Sequence, residues 1–233
     1  MGQLDCKVSA LVVAAGSGKR MGAEVPKQYL PIYGKPLVVH TLERIALCKS
    51  IDEIVVVVPE GDERKMEEYI EKWRVDKIEH IVAGGPRRQD SVFRGLKKVS
   101  ENVEIVIVHD GVRPLISVSK ICELIVAVRE YGAAVLAVPL NDTIKICRNN
   151  WIEKTLDRKD VWRVQTPQGF KKELIVRGYE KAFEEKIDVT DDASLIERLN
   201  HPVRILRGED TNIKITTSED LRLAELIISR KEQ

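Results

Sequence analysis

The chain has 233 residues, of which 43% are hydrophobic and 32% are charged, the composition of an ordinary globular protein. Its 38 basic and 37 acidic residues leave a net charge of +1, so the basic excess that characterises duplex-binding proteins is absent. No apolar run approaches the roughly 20 residues that are needed to span a bilayer. Length and charge therefore predict one domain over residues 1–233 and exclude nucleic acid and membrane as partners.

Cysteine usage and the N-terminus bear on location. Cys6, Cys48, Cys122 and Cys147 show neither a CxxC spacing nor a nearby histidine, so no zinc site is predicted. A reduced cysteine in an apolar stretch behaves as a small core residue. The first residues also lack the basic stretch, apolar run and cleavage site of a signal peptide. Together these features predict a cytoplasmic protein.

Apolar runs and amphipathic patterns alternate along the first part of the chain. The apolar runs predict strands over residues 8–14, 54–58, 78–82, 105–108 and 134–138. Several contain consecutive Val and Ile without polar alternation, which is typical of strands buried on both faces of a parallel sheet. Helices are predicted between them, with Pro36 in the first turn of one, then over residues 62–74, 88–99 and 118–131, with Gly132 as a stop signal. This order predicts an α/β protein with a Rossmann-like, doubly wound, mostly parallel sheet.

The pattern changes after the fifth strand. Residues 143–147 and 151–156, separated by an Asn-Asn pair, predict a β-hairpin outside the α/β alternation. A lone hairpin is marginal in water, so residues 140–160 are interpreted as a protruding arm that packs on the second subunit of a homodimer. The remaining predicted elements are helices over 172–186 and 191–199, strands over 203–206 and 213–216, and a last helix from Ser218. Its cap is either Thr217 with Asp220 or Ser218 with Leu221, and the first pair is favoured.

A loop of small and basic residues follows the first strand, at the edge of the sheet where open α/β folds bind ligands. Its sequence is Ala14-Ala15-Gly16-Ser17-Gly18-Lys19-Arg20-Met21-Gly22. The third glycine falls too late for the GxGxxG pattern, and Arg20 stands where a P-loop has Ser or Thr, so neither motif is present. Lys19, Arg20 and Lys27 form either a basic surface loop or a polyphosphate site. Their position after a buried strand favours the polyphosphate site.

Two further turns follow predicted strands and are expected at the same edge of the sheet. The first contains Gly84 and Gly85 and leads to Asp90 and Ser91, which either belong to a ligand site or cap the next helix. The second runs from Asp110 to Arg113. A carboxylate here is a suitable Mg²⁺ ligand beside a polyphosphate, and the arginine can contact a second phosphate through two nitrogens. Each of these two residues is alternatively an ordinary turn or surface residue.

Lys214 stands between two isoleucines in a predicted strand. The alternation of side chains places it on the face opposite the isoleucines, directed either to solvent or to a cleft. His109 is interpreted as structural rather than as a base, because attack by an already charged phosphate needs little proton abstraction.

Together these stretches resemble the 2-C-methyl-D-erythritol 4-phosphate cytidylyltransferases of the non-mevalonate isoprenoid pathway, over nearly the whole chain. The specific segments are Pro-Lys-Gln-Tyr-Leu from residue 26 and His-Asp-Gly-Val-Arg-Pro from residue 109. The other matching segments are residues 14–21, 84–92, 142–145, 166–168, 190–194 and 212–214. The resemblance implies an enzyme with a nucleotidyltransferase-type fold that moves a cytidylyl group from CTP to a small phosphorylated polyol, with Mg²⁺ or another divalent cation.

The resemblance also implies roles for individual residues. Nucleotide binding is expected at Ala14, Ala15, Gly16, Ser17, Gly18, Lys19, Gly85 and Ser91. Catalysis is expected from Arg20 and Lys27, which would stabilise the transition state, and from Lys214, which would hold the two phosphates together. Asp110 would bind the metal. The acceptor would be bound by Asp110 together with Arg113, Thr143, Arg158 and Thr190, and some of these residues would reach the partner subunit's site through the arm. The implied reaction is in-line attack of the acceptor phosphate on the α-phosphate of CTP, without a covalent enzyme intermediate.

One departure from the family pattern concerns the metal. Thr211 takes the place of the family's usual Asp before Asn-Ile-Lys, and Asp210 lies one residue earlier. Whether a second carboxylate reaches the metal stays open at this point.

Other functions also stay open. A related nucleotidyltransferase would use another polyol phosphate or a sugar 1-phosphate on the same fold. A non-catalytic nucleotide-binding regulator would not need Arg20, Lys27, Asp110 and Lys214 together. The glycine spacing disfavours an NAD-dependent oxidoreductase.

Overall fold

The computed structural model describes residues 6–16 and 25–231. The strands are β1 (Lys7–Val13), β2 (Pro31–Ile32), β3 (Lys35–Pro36), β4 (Glu53–Val58), β5 (Ile78–Ala83), β6 (Val103–Asp110), β7 (Ala133–Pro139), β8 (Lys145–Arg148), β9 (Trp151–Thr155), β10 (Trp162–Lys171) and β11 (Arg204–Arg207). The helices are α1 (Leu37–Ala46), α2 (Glu63–Trp73), α3 (Arg88–Leu96), α4 (Val118–Tyr131), α5 (Lys172–Glu184), α6 (Ala193–Arg198) and α7 (Ser218–Lys231).

A seven-stranded sheet forms the centre, in the order β11-β7-β10-β6-β1-β4-β5. Neighbouring strands are parallel except around β10, which runs antiparallel to both β6 and β7. The predicted mostly parallel sheet is confirmed, but β10 is not anticipated by the sequence reasoning. Its segment contains Pro167 and Gly169 and no run of branched apolar residues. The pairing with β7 shifts register between Val164 and Gln168, which accommodates the proline inside a strand.

Helices cover both faces of the sheet, as a doubly wound fold requires. Along β4, Val56 packs into one apolar cluster, whereas Val55 and Val57 pack into the other. The first cluster receives side chains from α1, α2 and α4, and the second receives them from α3, α5 and α6. Each fully buried valine contributes about 1.5–3 kcal/mol relative to an exposed one. The uninterrupted Val and Ile runs therefore follow from strands that are covered on both sides.

The helix boundaries agree with the predictions to within a few residues. Helix α4 has the predicted bounds and ends at Gly132, which adopts φ +81°. Helix α3 ends at Leu96 rather than at Val99, because the N–H groups of Lys98 and Val99 each donate to the carbonyl three residues earlier. These tighter bonds turn the end of α3 into a 3₁₀-like turn. Pro36 is wrongly assigned to the first turn of α1, since it pairs in the short β2–β3 ladder and caps the helix from outside.

The predicted hairpin is confirmed as β8 and β9, which form a separate two-stranded antiparallel sheet. Asn149 and Asn150 have φ of 50° and 67°, the two positive values of a tight type I′ turn. Trp151 and Ile152 follow the turn and are 80% and 64% exposed. The hairpin therefore presents large apolar side chains that stay exposed among the residues that the structure describes.

The strand predicted over residues 213–216 is wrong. The N–H of Ile213 donates to the nearby carbonyl of Thr211, and that of Ile215 donates to Val112, so no ladder of hydrogen bonds forms. Ile215 is nevertheless fully buried.

The predicted cap of the last helix is confirmed: Thr217 Oγ1 accepts from the N–H of Asp220 at 3.2 Å, and the Asp220 carboxylate accepts from the N–H of Thr217 at 2.9 Å. In the described part of the chain, no helix is long and apolar enough to cross a bilayer.

Candidate active site

A cavity of about 620 Å³ opens at the carboxyl edge of β1, β4, β5 and β6. Open α/β sheets bind their ligands at this edge, because the turns that follow neighbouring parallel strands meet there. The predicted site residues on its wall are Ala14, Ala15, Gly16, Lys27, Gly85, Ser91, Asp110 and Lys214. The structure therefore brings together residues from five separate stretches of the sequence.

Two glycines allow the turns after β5 and β6 to press against the end of β1. A Cβ atom at Gly84 would lie 2.4 Å from the Cβ of Ala15 and 3.1 Å from the carbonyl oxygen of Val58. A Cβ at Gly111 would lie 2.9 Å from the Cβ of Ala14. Larger residues would force these turns apart. The small side chains thus shape the cavity floor, where backbone comes close to any bound ligand.

The turn between β5 and α3 is held by its own side chains. The N–H of Gly85 donates to Ser91 Oγ at 3.0 Å, and that hydroxyl in turn donates to the carbonyl of Arg87 at 3.1 Å. The Asp90 carboxylate accepts from the N–H of Arg87 at 3.0 Å, which caps the helix. The capping interpretation of this segment is therefore confirmed for Asp90, while Ser91 both fixes the turn and lines the cavity.

Asp110, the last residue of β6, lies at the centre of a cluster of cations. Lys214 Nζ is 2.9 Å and Arg113 Nε is 3.4 Å from Oδ2, and Arg88 Nε is 3.8 Å from Oδ1. Burial alone would raise the pKa of Asp110, but Lys214, Arg88 and Arg113 hold it well below its usual range. The carboxylate is therefore ionised at neutral pH. Lys214 reaches it from the irregular segment before α7. Of the two directions that the sequence left open for this side chain, solvent or cleft, the structure shows the cleft.

Arg113 is anchored from two directions. Its Nη1 donates to the carbonyl of Asn212 at 2.8 Å, while its Nε pairs with Asp110. Asn212 is fully buried and donates its side-chain amide to the carbonyl of Thr166 at 2.8 Å. These bonds tie the Lys214 segment to β6 and β10, and they fix where both cations sit.

His109 is buried beside Asp110 in a chain of hydrogen bonds. The carbonyl of Arg113 can only accept, so His109 Nε2 carries the hydrogen and donates to it at 3.1 Å. Nδ1 therefore accepts from Thr166 Oγ1 at 3.0 Å, and the same hydroxyl oxygen accepts from the N–H of Asp110 at 3.0 Å. Burial lowers the pKa of His109 to about 4, which keeps the ring neutral. This geometry agrees with a structural role that orients the turn around Asp110.

Other predicted site residues lie away from this cavity. Thr143, Arg158 and Thr190 are exposed and are not among its lining residues. Arg158 donates to the carbonyl of Asn141 at the base of the hairpin, and Thr190 borders a separate surface depression with Asp188. The predictions for Ser17, Gly18, Lys19 and Arg20 fall outside the described residues.

Asp210 does not join Asp110 at the cavity. Its side chain is 68% exposed and lies 4.0 Å from Arg163. Within residues 6–16 and 25–231, no three His, Cys, Asp or Glu side chains gather in a way that could hold a metal ion. A divalent cation at this edge would therefore depend on Asp110 and on oxygens of a bound ligand.

Arg88 is a cavity residue that the sequence reasoning did not single out. It opens α3 directly after the glycine turn and lines the same wall as Asp110. A usable signal exists, because Arg88 is a basic residue beside a glycine turn that follows a strand, as Lys19 and Arg20 are in the sequence. Its partner Asp192 lies 104 residues further along, and sequence spacing alone gives no indication of that contact.

A cation-rich cavity at the carboxyl edge of a doubly wound sheet defines an α/β protein that binds phosphorylated ligands, the class that includes the nucleotide-handling transferases. The family model for 2-C-methyl-D-erythritol 4-phosphate cytidylyltransferase matches residues 8–230. The chain therefore belongs to this family.

Individual relatives agree with the family match. The 2-C-methyl-D-erythritol 4-phosphate cytidylyltransferase of Syntrophus aciditrophicus is 49% identical over 228 residues, which cover 97% of each chain. That of Geobacillus kaustophilus is 42% identical over 95% of this chain and 97% of its own. Among solved structures, 4-diphosphocytidyl-2C-methyl-D-erythritol synthase from Anaerococcus prevotii has a TM-score of 0.86 and 35% identity, over 97% of each chain. The cytidylyltransferase from Thermus thermophilus has a TM-score of 0.80 and 31% identity, over 96% of this chain and 99% of its own.

Proposed function

We propose that this chain transfers a cytidylyl group from CTP to 2-C-methyl-D-erythritol 4-phosphate, giving 4-diphosphocytidyl-2-C-methyl-D-erythritol and pyrophosphate. The membership in the cytidylyltransferase family supports the reaction. The observation in this molecule that carries it is the ionised Asp110 paired with Lys214 at the carboxyl edge of the sheet, inside a cavity that Lys27 also lines.

The chemistry needs positioning and charge more than proton transfer. An oxygen of the acceptor phosphate forms a bond to the α-phosphorus of CTP, while the bond from that phosphorus to the oxygen bridging to the β-phosphorus breaks, and pyrophosphate leaves. Negative charge on the phosphoryl oxygens is stabilised by fixed cations, a role that Lys27 and Lys214 can fulfil from the cavity wall. The attacking oxygen is already anionic, so no base is needed; this agrees with a fully buried His109, whose pKa of about 4 makes it a weak base and whose two ring nitrogens are bonded to Thr166 and Arg113.

The nucleotide half of the site is assigned to the turns that press together on the cavity floor. The backbone of residues 14–16 and the turn of Gly85 and Ser91 both line this floor. Small side chains leave room for a base and ribose between backbone groups, which can discriminate by hydrogen bonding. The assignment of CTP to this half rests on the family.

Mg²⁺ is proposed as the cofactor, with Asp110 as its ligand from the protein. The residues fit a hard divalent cation, because Asp110 is ionised and Oδ1 has no cation closer than 3.8 Å among the described residues. Mg²⁺ is commonly held by one or two carboxylates together with substrate phosphates and waters. When bound, the ion would offset the charge of the triphosphate.

Completion of the acceptor site by a second subunit is proposed from the arm. Thr143 and Arg158 lie at the base of the hairpin, outside the cavity of their own chain. The exposed Trp151 and Ile152 give the hairpin an apolar surface suited to burial in a homodimer. The predicted cytoplasmic location likewise remains a proposal.

The experiment that tests the function measures pyrophosphate release by the purified protein with Mg²⁺. CTP, UTP, ATP and GTP are each combined with methylerythritol phosphate, ribitol phosphate and a sugar 1-phosphate. Release only from CTP with methylerythritol phosphate is expected. Release with another acceptor would move the protein to a sister activity, and binding of CTP without any release would support a regulator instead.

A further inference from the structure

The guanidinium of Arg88 connects two carboxylates that belong to distant parts of the chain. Its Nη1 and Nη2 donate to the two oxygens of Asp192 at 3.0 and 2.7 Å. The remaining nitrogen, Nε, faces Oδ1 of Asp110 at 3.8 Å. One planar group thus uses both terminal nitrogens for Asp192 and turns its third nitrogen toward the active-site carboxylate.

Asp192 is fixed by the core and not by the cavity. It is fully buried at the start of α6, and its own N–H donates to the side-chain oxygen of Gln168 at 3.1 Å. The hydroxyl of Tyr179 donates to Oδ1, the oxygen that also accepts from Arg88 Nη1. Strand β10 and helix α5 therefore set the position of this carboxylate, and through it the plane of the guanidinium.

The charges alternate from this buried carboxylate into the cavity, in the order Asp192, Arg88, Asp110 and Lys214. Burial alone would lower the pKa of Arg88, but Asp192 and then Asp110 raise it above its usual value, so the guanidinium stays charged. Lys214 and Arg113 both lie on the Oδ2 side of Asp110, and Arg88 is the cation on the Oδ1 side among the described residues. Without Arg88, the described cations that attract the Asp110 carboxylate would all lie on its Oδ2 side.

We propose that Arg88, held by Asp192, is a positioning residue that keeps the Asp110 carboxylate, and with it the Lys214 ammonium, in the arrangement needed for cytidylyl transfer. This inference rests on the proposed function and deepens it. It assigns a task to the buried Asp192, which is not itself a lining residue of the cavity but bonds to one, Arg88. An arrangement that is supported from the core keeps its geometry before substrate arrives.

A lysine could not replace this arginine. A single ammonium is a compact point charge and cannot make two parallel bonds to Asp192 while facing Asp110 with a third nitrogen. Arg88→Lys therefore keeps the positive charge but cannot make the paired bonds to Asp192 together with the contact to Asp110. Asp192→Asn keeps the shape and removes the charge that orients the guanidinium.

The test measures kcat and the dissociation constant of CTP for these two variants and two controls. Arg64→Lys changes an exposed arginine on α2. Glu53→Ala removes a buried carboxylate at the opposite end of β4, where it accepts from the N–H of Ser100 at 3.1 Å, and so lowers stability far from the cavity. We expect kcat to fall about 10–100-fold in Arg88→Lys and Asp192→Asn, the range found when a supporting partner of a site residue is lost, with CTP affinity within about threefold. Both controls should keep kcat.

Chemical rescue separates positioning from a general loss of structure. Adding guanidinium at millimolar, non-denaturing concentration to Arg88→Ala should restore about tenfold or more of kcat, whereas ammonium should not. Wild-type kcat in Arg88→Lys, or failure of guanidinium to rescue a folded Arg88→Ala, would overturn the positioning role. Absence of turnover in the wild-type protein itself would overturn the proposed function, and the role of Arg88 with it.

Discussion

Neutralising Asp110 is the most informative single change, because this carboxylate compensates three cations at once. Asp110→Asn keeps the size of the side chain but leaves Lys214, Arg113 and Arg88 without their shared anion. Breaking a buried pair costs about 3–5 kcal/mol when the remaining charge stays buried. The Arg113 side chain is only 12% exposed, so its charge stays buried without a partner and accounts for most of this cost. The Lys214 side chain is 37% exposed and can turn to solvent. We therefore expect a loss of about 3 kcal/mol in the free energy of unfolding.

The same change should remove nearly all activity. The loss of one preorganised electrostatic group typically lowers kcat about 10²–10³-fold, and here the dependence on Mg²⁺ concentration should disappear together with activity. Urea titration gives the stability, and pyrophosphate release over a range of Mg²⁺ concentrations gives the rate. Asp210→Asn is the matched control, because that carboxylate is exposed and lies outside the cavity. Full activity of Asp110→Asn with unchanged Mg²⁺ dependence would refute the placement of Asp110 in the site.

Four further outcomes are expected. Lys27→Ala should lower kcat by about 10²-fold or more while CTP binding, measured by calorimetry, changes little, because the charge acts most strongly in the transition state; weak binding with normal turnover at saturation would contradict this. Gly84→Ala should cost about 1–3 kcal/mol in a thermal or urea melt and weaken CTP binding, since its Cβ would lie 2.4 Å from that of Ala15. His109 should make the free energy of unfolding depend on pH: it should fall by up to about 3 kcal/mol as the pH drops from 6.5 to about 4, because His109 binds a proton in the unfolded chain but not in the buried ring. Urea titrations of His109→Asn should lack this pH dependence. If the proposed homodimer forms through the hairpin, Trp151→Asp should lower the mass from that of a dimer to that of a monomer in sedimentation analysis; an unchanged dimer mass would exclude the hairpin from the interface.

The sequence predicts those parts of the fold that depend on local pattern. Strands β1, β4, β6 and β7 are visible as apolar runs, because burial on both faces requires Val and Ile at successive positions. The run of β5 is interrupted by Glu79 and His80, because this strand lies at the edge of the sheet and is only partly buried. The hairpin is visible because its Asn-Asn turn and its sparse apolar content differ from the rest of the chain. The edge of the sheet that carries the cavity follows from the parallel order, since every parallel strand ends at the same edge.

The remaining features depend on contacts between distant segments. Strand β10 pairs with β7 through a register shift around Pro167, and the apolar periodicity of the sequence does not indicate this shift. Lys214 reaches Asp110 from an irregular segment whose isoleucines resemble a strand because they are buried alternately. The contact of Arg88 with Asp192 joins residues 104 positions apart and arises only when α6 packs beside α3 and α5.

The central claim is that the acceptor phosphate attacks CTP and displaces pyrophosphate, and an oxygen label tests it most directly. Methylerythritol phosphate labelled with ¹⁸O in its phosphate is incubated with CTP and Mg²⁺, and the products are followed by ³¹P NMR and mass spectrometry. The account predicts that a diphosphate product forms with all of the label, while the pyrophosphate carries none. Label in the pyrophosphate, or consumption of CTP without a diphosphate product, would contradict it.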